Sequence, residues 1–351
     1  MGKPTIKDIA KVAGVSLATV DRVINDRGGV RFSTIKLVTT AIDELNYVRD
    51  ISAANLARRK EYQFLFLLPD HDDELIEMIH TSIHEANSSM AHERTTASII
   101  RVPANNPHCI MQEIDGLLPD NVDGVAIMVP ETAQVRDAIS RLDSRGIPVV
   151  AFISNQPNAH STYFVGINNE AAGRTAGQLL ARFIGERQGI VLVITETMQS
   201  RDSLDRRLGF DAIMAKYGPR IGVHPSMETY ADPTRTIKII AAAFQSNKDI
   251  VGIYLMNHDI SDTMQAIEAQ GLPPKCVIVG HELTQHTRER LVDGTIDAVI
   301  TQDVDHLVRS SIRVLKARIT QVNTMASQER IRIEIILREN LPEILTNSYL
   351  N

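Results

Sequence analysis

Residues 5–48 read TIKDIAKVAGVSLATVDRVINDRGGVRFSTIKLVTTAIDELNYV, and their spacing sets the architecture of the first part of the chain. Ile6, Ile9, Ala10 and Ala13 recur at i, i+3, i+4 and i+7, one face of a helix. Thr5 stands at its N-cap with Asp8 three residues on, and Gly14 follows as a residue free to take positive φ. Ser16 caps a second helix that turns Val20, Val23 and Ile24 inward and ends in the turn-forming run from Asn25 to Gly29. A third helix is predicted from about Ser33 to Leu45, burying Val38, Ala41, Ile42 and Leu45. Two short helices joined at a tight glycine turn, with a third to close the core, fit a helix-turn-helix. The same spacing also fits a small helical bundle with solvated charges.

Charge separates this segment from the rest. The 351 residues carry a net −6, which taken whole argues against nucleic acid as a partner. Residues 1–60 hold eleven Lys/Arg against six Asp/Glu, a net +5, so the other 291 carry −11. Such asymmetry points to a small anion-binding module on a different body. Apolar residues make up 43% and charged residues 23%, an ordinary globular composition. No run approaches the roughly 18 apolar residues of a membrane span. The first fifteen residues have no apolar core of a secretory signal. Cys109 and Cys276 are too few and too far apart for a disulfide framework, so a reduced, cytoplasmic setting is expected.

If helix two reads DNA, its outward face is Leu17, Ala18, Asp21 and Arg22, with Ser16 and Thr19 beside it. Arg22 can grip guanine O6 and N7, while Leu17 and Ala18 offer apolar contact to a thymine methyl. The Ser16 and Thr19 hydroxyls suit phosphates, which set register. Thr5 and Asn25 complete this set.

From residue 62 onward apolar strand-like runs alternate with helical patterns. The runs are 64–68, 97–102, 125–129, 149–153, 190–194, 250–256, 277–279 and 298–300. Helices are predicted over 74–90, 132–145, 171–187, 204–216 and 261–270, among others. This alternation predicts doubly wound parallel sheets, and about 290 residues suffice for two such lobes. Neither a dinucleotide nor a Walker glycine pattern is present, nor a G-x-S-x-G elbow. His281 and His286 are spaced i, i+5 and cannot share a helical face, and His80 and His84 have no third ligand. No cofactor, metal or catalytic residue is therefore expected. Paired acids such as Asp72 and Asp73 have no spacing that marks general acid–base work.

The run over residues 5–60 resembles the head of the lac repressor family of bacterial regulators. In that family a hinge helix follows the head and a leucine wedges into the minor groove; Leu56, within Ala53–Arg59, holds the matching place. Arg49-Asp50 and Ala54 depart from the family's usual hinge residues. The body resembles the type I periplasmic sugar-binding fold of the same family, through the segment from Tyr163 to Gly177, the R-x-x-G-F run at Arg206–Phe210, and Val279–Glu282. The resemblance implies a helix-turn-helix domain over 1–48, a hinge over 49–61, and an effector-binding, dimerising domain over 62–351. It also implies a homodimer on a palindromic duplex operator. The implied effector pocket draws on Arg206 and Glu282, joined by the strand-end polar residues Asp70, Asp72, Asn155, Thr195, Asn257, Asp259 and Gln302. With no Trp and 4% aromatics, the chain lacks the usual platform for a neutral pyranose, so a sugar acid, polyol or phosphosugar is expected beside a plain sugar. A free solute-binding protein has no use for the head, and a sugar-modifying enzyme lacks a visible acid–base pair.

Overall fold

The computed structural model describes residues 4–24, 28–45, 47, 60–70, 73–160 and 162–343. Asn25, Leu56, Asp72 and the hinge before Lys60, all singled out above, lie outside the described residues. The chain divides into two compact units, Met1–Lys60 and Glu61–Asn351.

The first unit contains α1 (Ile6–Ala13), α2 (Leu17–Ile24) and α3 (Phe32–Glu44). Helices of eight residues are marginal alone and persist here because they share a core. Ile9, Val20, Val38 and Ala41 are its buried centre, with Ile42 and Leu45 only partly covered. Asp8 reaches back to accept from the Thr5 N–H at 2.8 Å and the Thr5 hydroxyl at 2.7 Å, which ties down the start of α1. Gly14 sits at φ 66°, ψ 30° and donates its N–H to the Ala10 carbonyl, closing α1 in the left-handed conformation that glycine adopts without strain.

The second unit is built on two sheets. In the first, β1 (Tyr62–Pro69), β2 (Thr95–Val102), β3 (Gly124–Ile127), β4 (Val149–Phe152) and β5 (Tyr163–Val165) run parallel in the order β2-β1-β3-β4-β5. Helices α4 (Glu74–Met90), α5 (Pro107–Asp115) and α6 (Ala133–Ser144) connect them. Strands β1, β3 and β4 are apolar almost throughout because both faces are covered.

The second sheet comprises β6 (Gly189–Thr195), β7 (Ile221–Val223), β8 (Met227–Glu228), β9 (Ile250–Leu255), β10 (Val277–His281), β11 (Ala298–Thr301) and β12 (Glu334–Ile336). Its order is β12-β11-β10-β9-β6-β7, with β8 beside the end of β6 and β12 antiparallel to β11. Its helices are α7 (Asn169–Ile184), α8 (Arg201–Met214), α9 (Pro233–Ser246), α10 (Ser261–Gln270) and α11 (Gln285–Val292). A last helix, α12 (Val304–Thr320), returns to the first sheet, where Leu315 packs over Gly124 and Lys316 Nζ meets Glu93 at 2.5 Å. The chain thus passes between sheets at residues 166–168, 302–303 and 321–333.

Sequence periodicity places the long strands and misses the short ones. β5, β7, β8 and β12 span two or three residues each, less than one readable alternation. The helix predicted from 132 starts on a cap, since Thr132 accepts from the Val135 N–H, whereas the one predicted from 171 starts earlier, at Asn169, behind Asn168, which accepts from the Ala171 N–H.

Helices α7 and α8 cross at backbone contact. A Cβ on Gly173 would lie 1.8 Å from the Arg206 carbonyl oxygen, and one on Gly209 would lie 1.9 Å from that of Glu170. The glycine of the R-x-x-G-F run is thereby explained by packing, and its Phe210 stacks on Tyr254 with centroids 4.7 Å apart.

Candidate functional site

In the first unit, Ser16 caps α2 by accepting from the Thr19 N–H at 3.1 Å, and the two hydroxyls lie 2.9 Å apart. Both hydroxyls expected on phosphates therefore already hold each other, which fixes the first turn of α2. Leu17 is 48% exposed although it is a large apolar residue, and Ala18 and Arg22 are exposed beside it. Val20, on the opposite face, is fully buried. The helix thus presents an apolar-plus-arginine strip outward and keeps its core face covered. Thr5 is exposed and donates its hydroxyl to Asp8.

The second unit has its cleft where strand order predicts one. The order of the first sheet reverses between β1 and β3 and that of the second between β6 and β9, and ligand crevices form beyond strand carboxyl ends at such points. Pro69, Met128, Thr195, Met256, Asn257 and His258, each at or just past one of those ends, line a cavity of about 100 Å³. Asp73, Glu196 and Asn257 also line a side cavity of about 210 Å³. Asp73 and Gln302 line a wider groove of about 910 Å³.

A charged cluster underlies this cleft. Arg206 is 0% exposed, and its three nitrogens donate to Asn169 Oδ1 at 2.9 Å, the Met256 carbonyl at 3.1 Å and Glu282 Oε1 at 3.4 Å. Gln302 Nε2 donates to the same Glu282 oxygen at 3.2 Å. His258 lies between two acids, with Nε2 3.5 Å from Asp202 Oδ2 and Nδ1 3.8 Å from Glu282 Oε1. Glu282 sits at φ 61°, a left-handed conformation that is strained in a non-glycine residue and characteristic of functional positions.

Electrostatics follow from this arrangement. Burial would raise the Asp202 carboxyl, but the hydrogen bond from His258 and the Arg206 charge hold it below the usual carboxylate range. Burial would lower His258, but Asp202 outweighs it and the imidazole is pushed above 6.5, favouring the charged form. His281, buried and facing the Arg206 and His258 charges, is held well below 6.5 and bonds the Tyr254 hydroxyl at 2.8 Å.

The sequence-selected pocket residues are therefore placed unequally. Thr195 and Asn257 line the central cavity, Asp259 the side cavity and Gln302 the groove. The guanidinium fork of Arg206 is spent on protein acceptors, so it orders Glu282 and the Met256 carbonyl from behind the cavity wall. Asp259 accepts from the Ser261 N–H at 2.8 Å and hydroxyl at 2.7 Å, a turn before α10. Asn155 accepts from the Gln156 N–H, and Asp70 is exposed; neither lines these cavities. Sequence reading missed Asp202 and His258. Asp202 had one signal, its i, i+4 spacing to Arg206 on a shared helical face. Among the described residues no cluster of His, Cys, Asp or Glu is arranged to hold a metal ion, and no helix is long and apolar enough to cross a membrane.

Residues 5–50 match the model of the bacterial regulatory proteins of the lacI family, and residues 68–321 match a periplasmic binding protein domain. The HTH-type transcriptional repressor PurR of Actinobacillus pleuropneumoniae is 29% identical over 157 residues, 45% of each chain. Catabolite control protein A of Staphylococcus aureus is 28% identical over 179 residues, 51% of this chain and 52% of its own. The chain spans about half the length of these curated relatives in the matched regions. Among solved structures, the glucose-galactose binding protein GanP of Geobacillus stearothermophilus superposes with a TM-score of 0.71 at 17% identity, over 81% of this chain and all of its own. A LacI-type transcriptional regulator of Bacteroides fragilis superposes at 0.68 and 19% identity, over 80% of this chain and 98% of its own. The chain belongs to the periplasmic binding protein domain family over residues 68–321 and carries a lacI-family bacterial regulatory domain over residues 5–50.

Proposed function

We propose that the chain is a sequence-specific DNA-binding transcriptional regulator, a repressor of genes for carbohydrate or polyol uptake and catabolism, controlled by a small sugar-like effector. It acts in the cytoplasm as a homodimer whose two heads read the halves of a palindrome. Residues 1–48 read DNA, 49–61 connect, and 62–351 bind effector and dimerise. Ser16, Leu17, Ala18, Thr19 and Arg22 form the reading face, with Thr5, Asn25 and Leu56 contributing at its margins. In the cleft, Thr195, Asn257, Asp259 and Gln302 meet the effector and Arg206 and Glu282 order the wall behind them.

One observation carries this reading: Asn257, 5% exposed, lines the cleft with its Oδ1 buried and unpartnered. A buried acceptor without a donor costs about 1–3 kcal/mol, a cost that a hydroxylated ligand removes. A glucose-galactose binding protein among the solved relatives and a transcriptional repressor among the curated ones agree with the two halves of the proposal. The relatives are regulators, and binding without turnover is expected in place of catalysis.

Selection of genomic fragments on the purified full chain tests it. The expected result is an enriched palindromic sequence near transport or catabolic genes, with affinity changed by a sugar or polyol. Binding with no sequence preference at physiological salt would overturn the regulator reading, since a nonspecific electrostatic contribution is present for any basic head. Conversion of the bound ligand to a product would replace it with the enzyme alternative.

A further inference from the structure

The side cavity of about 210 Å³ has a composition of one kind. Asp73 from the first sheet's side, and Glu196, Asp259 and Asp262 from the second's, line it together with Asn257 and threonine hydroxyls. Among the described residues no lysine, arginine or histidine lines it. Acids at helix starts are common, and Asp73, Asp259 and Asp262 have that local reason to be there. Glu196 does not. It follows the end of β6, is half-buried, and makes no side-chain hydrogen bond or ion pair among the described residues.

Asn257 supplies the independent observation. Its Oδ1 is buried and unpartnered: the carboxylates around it are acceptors too, and none of the lining serine and threonine hydroxyls bonds to it. The described lining therefore leaves an acceptor unanswered and supplies no positive charge. The nearby cations are committed elsewhere: Arg206 to Glu282, and His258 to Asp202 and Glu282. A phosphate or carboxylate would meet four carboxylates. A divalent cation lacks a ligand cluster among the described residues. A neutral hydroxyl would satisfy Asn257 and leave the charge unanswered. An ammonium group, with several N–H donors and a positive charge, answers both.

We infer that this side cavity takes an ammonium group of the effector, held by Glu196 and Asn257, and that the effector is an amino sugar or amino polyol. The inference rests on the effector-cleft reading above. It replaces the sugar acids and phosphosugars expected from the scarcity of aromatics, because the cleft's charge has the wrong sign for them.

Isothermal titration of the full chain at neutral pH tests the inference. The probes are D-glucosamine, D-galactosamine and D-mannosamine, each with its parent hexose, its N-acetyl derivative and its uronate. In whichever configuration binds, the amine should exceed its parent by about tenfold, the effect of a charge-assisted contact in a half-buried site. Glu196→Gln should erase most of that preference with an unchanged melting temperature, and Glu196→Asp should retain part of it. A parent hexose, N-acetyl sugar or uronate that binds as tightly as its amine overturns the ammonium assignment and leaves the effector cleft standing. Failure of every compound to bind at millimolar concentration overturns both.

Discussion

Arg206 Nη2 lies 3.4 Å from Glu282 Oε1, and the pair is withdrawn from solvent at 0% and 2% exposure. A buried pair contributes little net stability when made and costs much when halved, because the surviving charge remains in a low dielectric. Glu282→Ala should therefore destabilise the second unit by about 3–5 kcal/mol. The double variant Arg206→Met, Glu282→Ala should recover part of that loss by removing the orphaned charge. Urea unfolding of the three proteins checks this, and a loss below about 1 kcal/mol for the single variant would mean that water reaches the pair.

Gly173 tests the helix crossing. Its added Cβ would overlap the Arg206 carbonyl oxygen at 1.8 Å, a backbone atom that cannot rotate away. Gly173→Ala must push α7 and α8 apart and should cost at least the roughly 1–3 kcal/mol of an overpacked core. Gly177 lies on the same helix with 3.1 Å of clearance to the Ile213 Cβ, so Gly177→Ala should cost visibly less. Thermal unfolding of both variants gives the comparison; equal losses would place the strain elsewhere.

These two pairs also mark how far the sequence could be read. Hydrophobic alternation revealed the sheets because strands such as Phe64–Leu68 are covered on both faces and so are apolar throughout. Thr195, Asn257 and Gln302 were reachable because polar residues at strand ends stand out against that background. Asp202 carried only its i, i+4 spacing to Arg206 and otherwise looks like an ordinary first-turn acid of α8 until the fold brings His258 to it across 56 residues. Arg206 was legible as a planar fork, but its acceptors Asn169, the Met256 carbonyl and Glu282 come together only in the fold. Residue spacing along one chain carries no information on such partners.

His258 and Asp202 make stability depend on pH. His258 is raised above 6.5 in the folded chain, so its contribution is present below 6.5 and is lost as pH rises through the folded value. Asp202 is lowered, so its contribution is present above 3.8 and persists until acid reaches its depressed value. His281 acts oppositely to His258, since a lowered imidazole weakens the fold as pH drops below 6.5. Comparing variants separates them. The stability gap between the native chain and His258→Gln should be widest below 6.5 and narrow as pH rises above it. A gap that is constant with pH would show that His258 carries no charge in the fold.

Arg22 tests the DNA-reading face. It is exposed on α2, on the side that also leaves Leu17 48% exposed. If its fork reads a guanine, Arg22→Ala should cost about 1–3 kcal/mol of operator binding per head and relax preference at one base position in each half-site. Ser16→Ala acts on the same helix differently. It removes the oxygen that accepts from the Thr19 N–H, and loss of an N-cap costs about 0.5–2 kcal/mol of helix stability. That variant should weaken binding to all sequences in proportion, because it loosens the whole reading helix and touches no base preference. Anisotropy titrations on an enriched duplex and its single-base variants distinguish the two patterns. An Arg22→Ala protein with unchanged sequence preference would move base recognition off this face of α2.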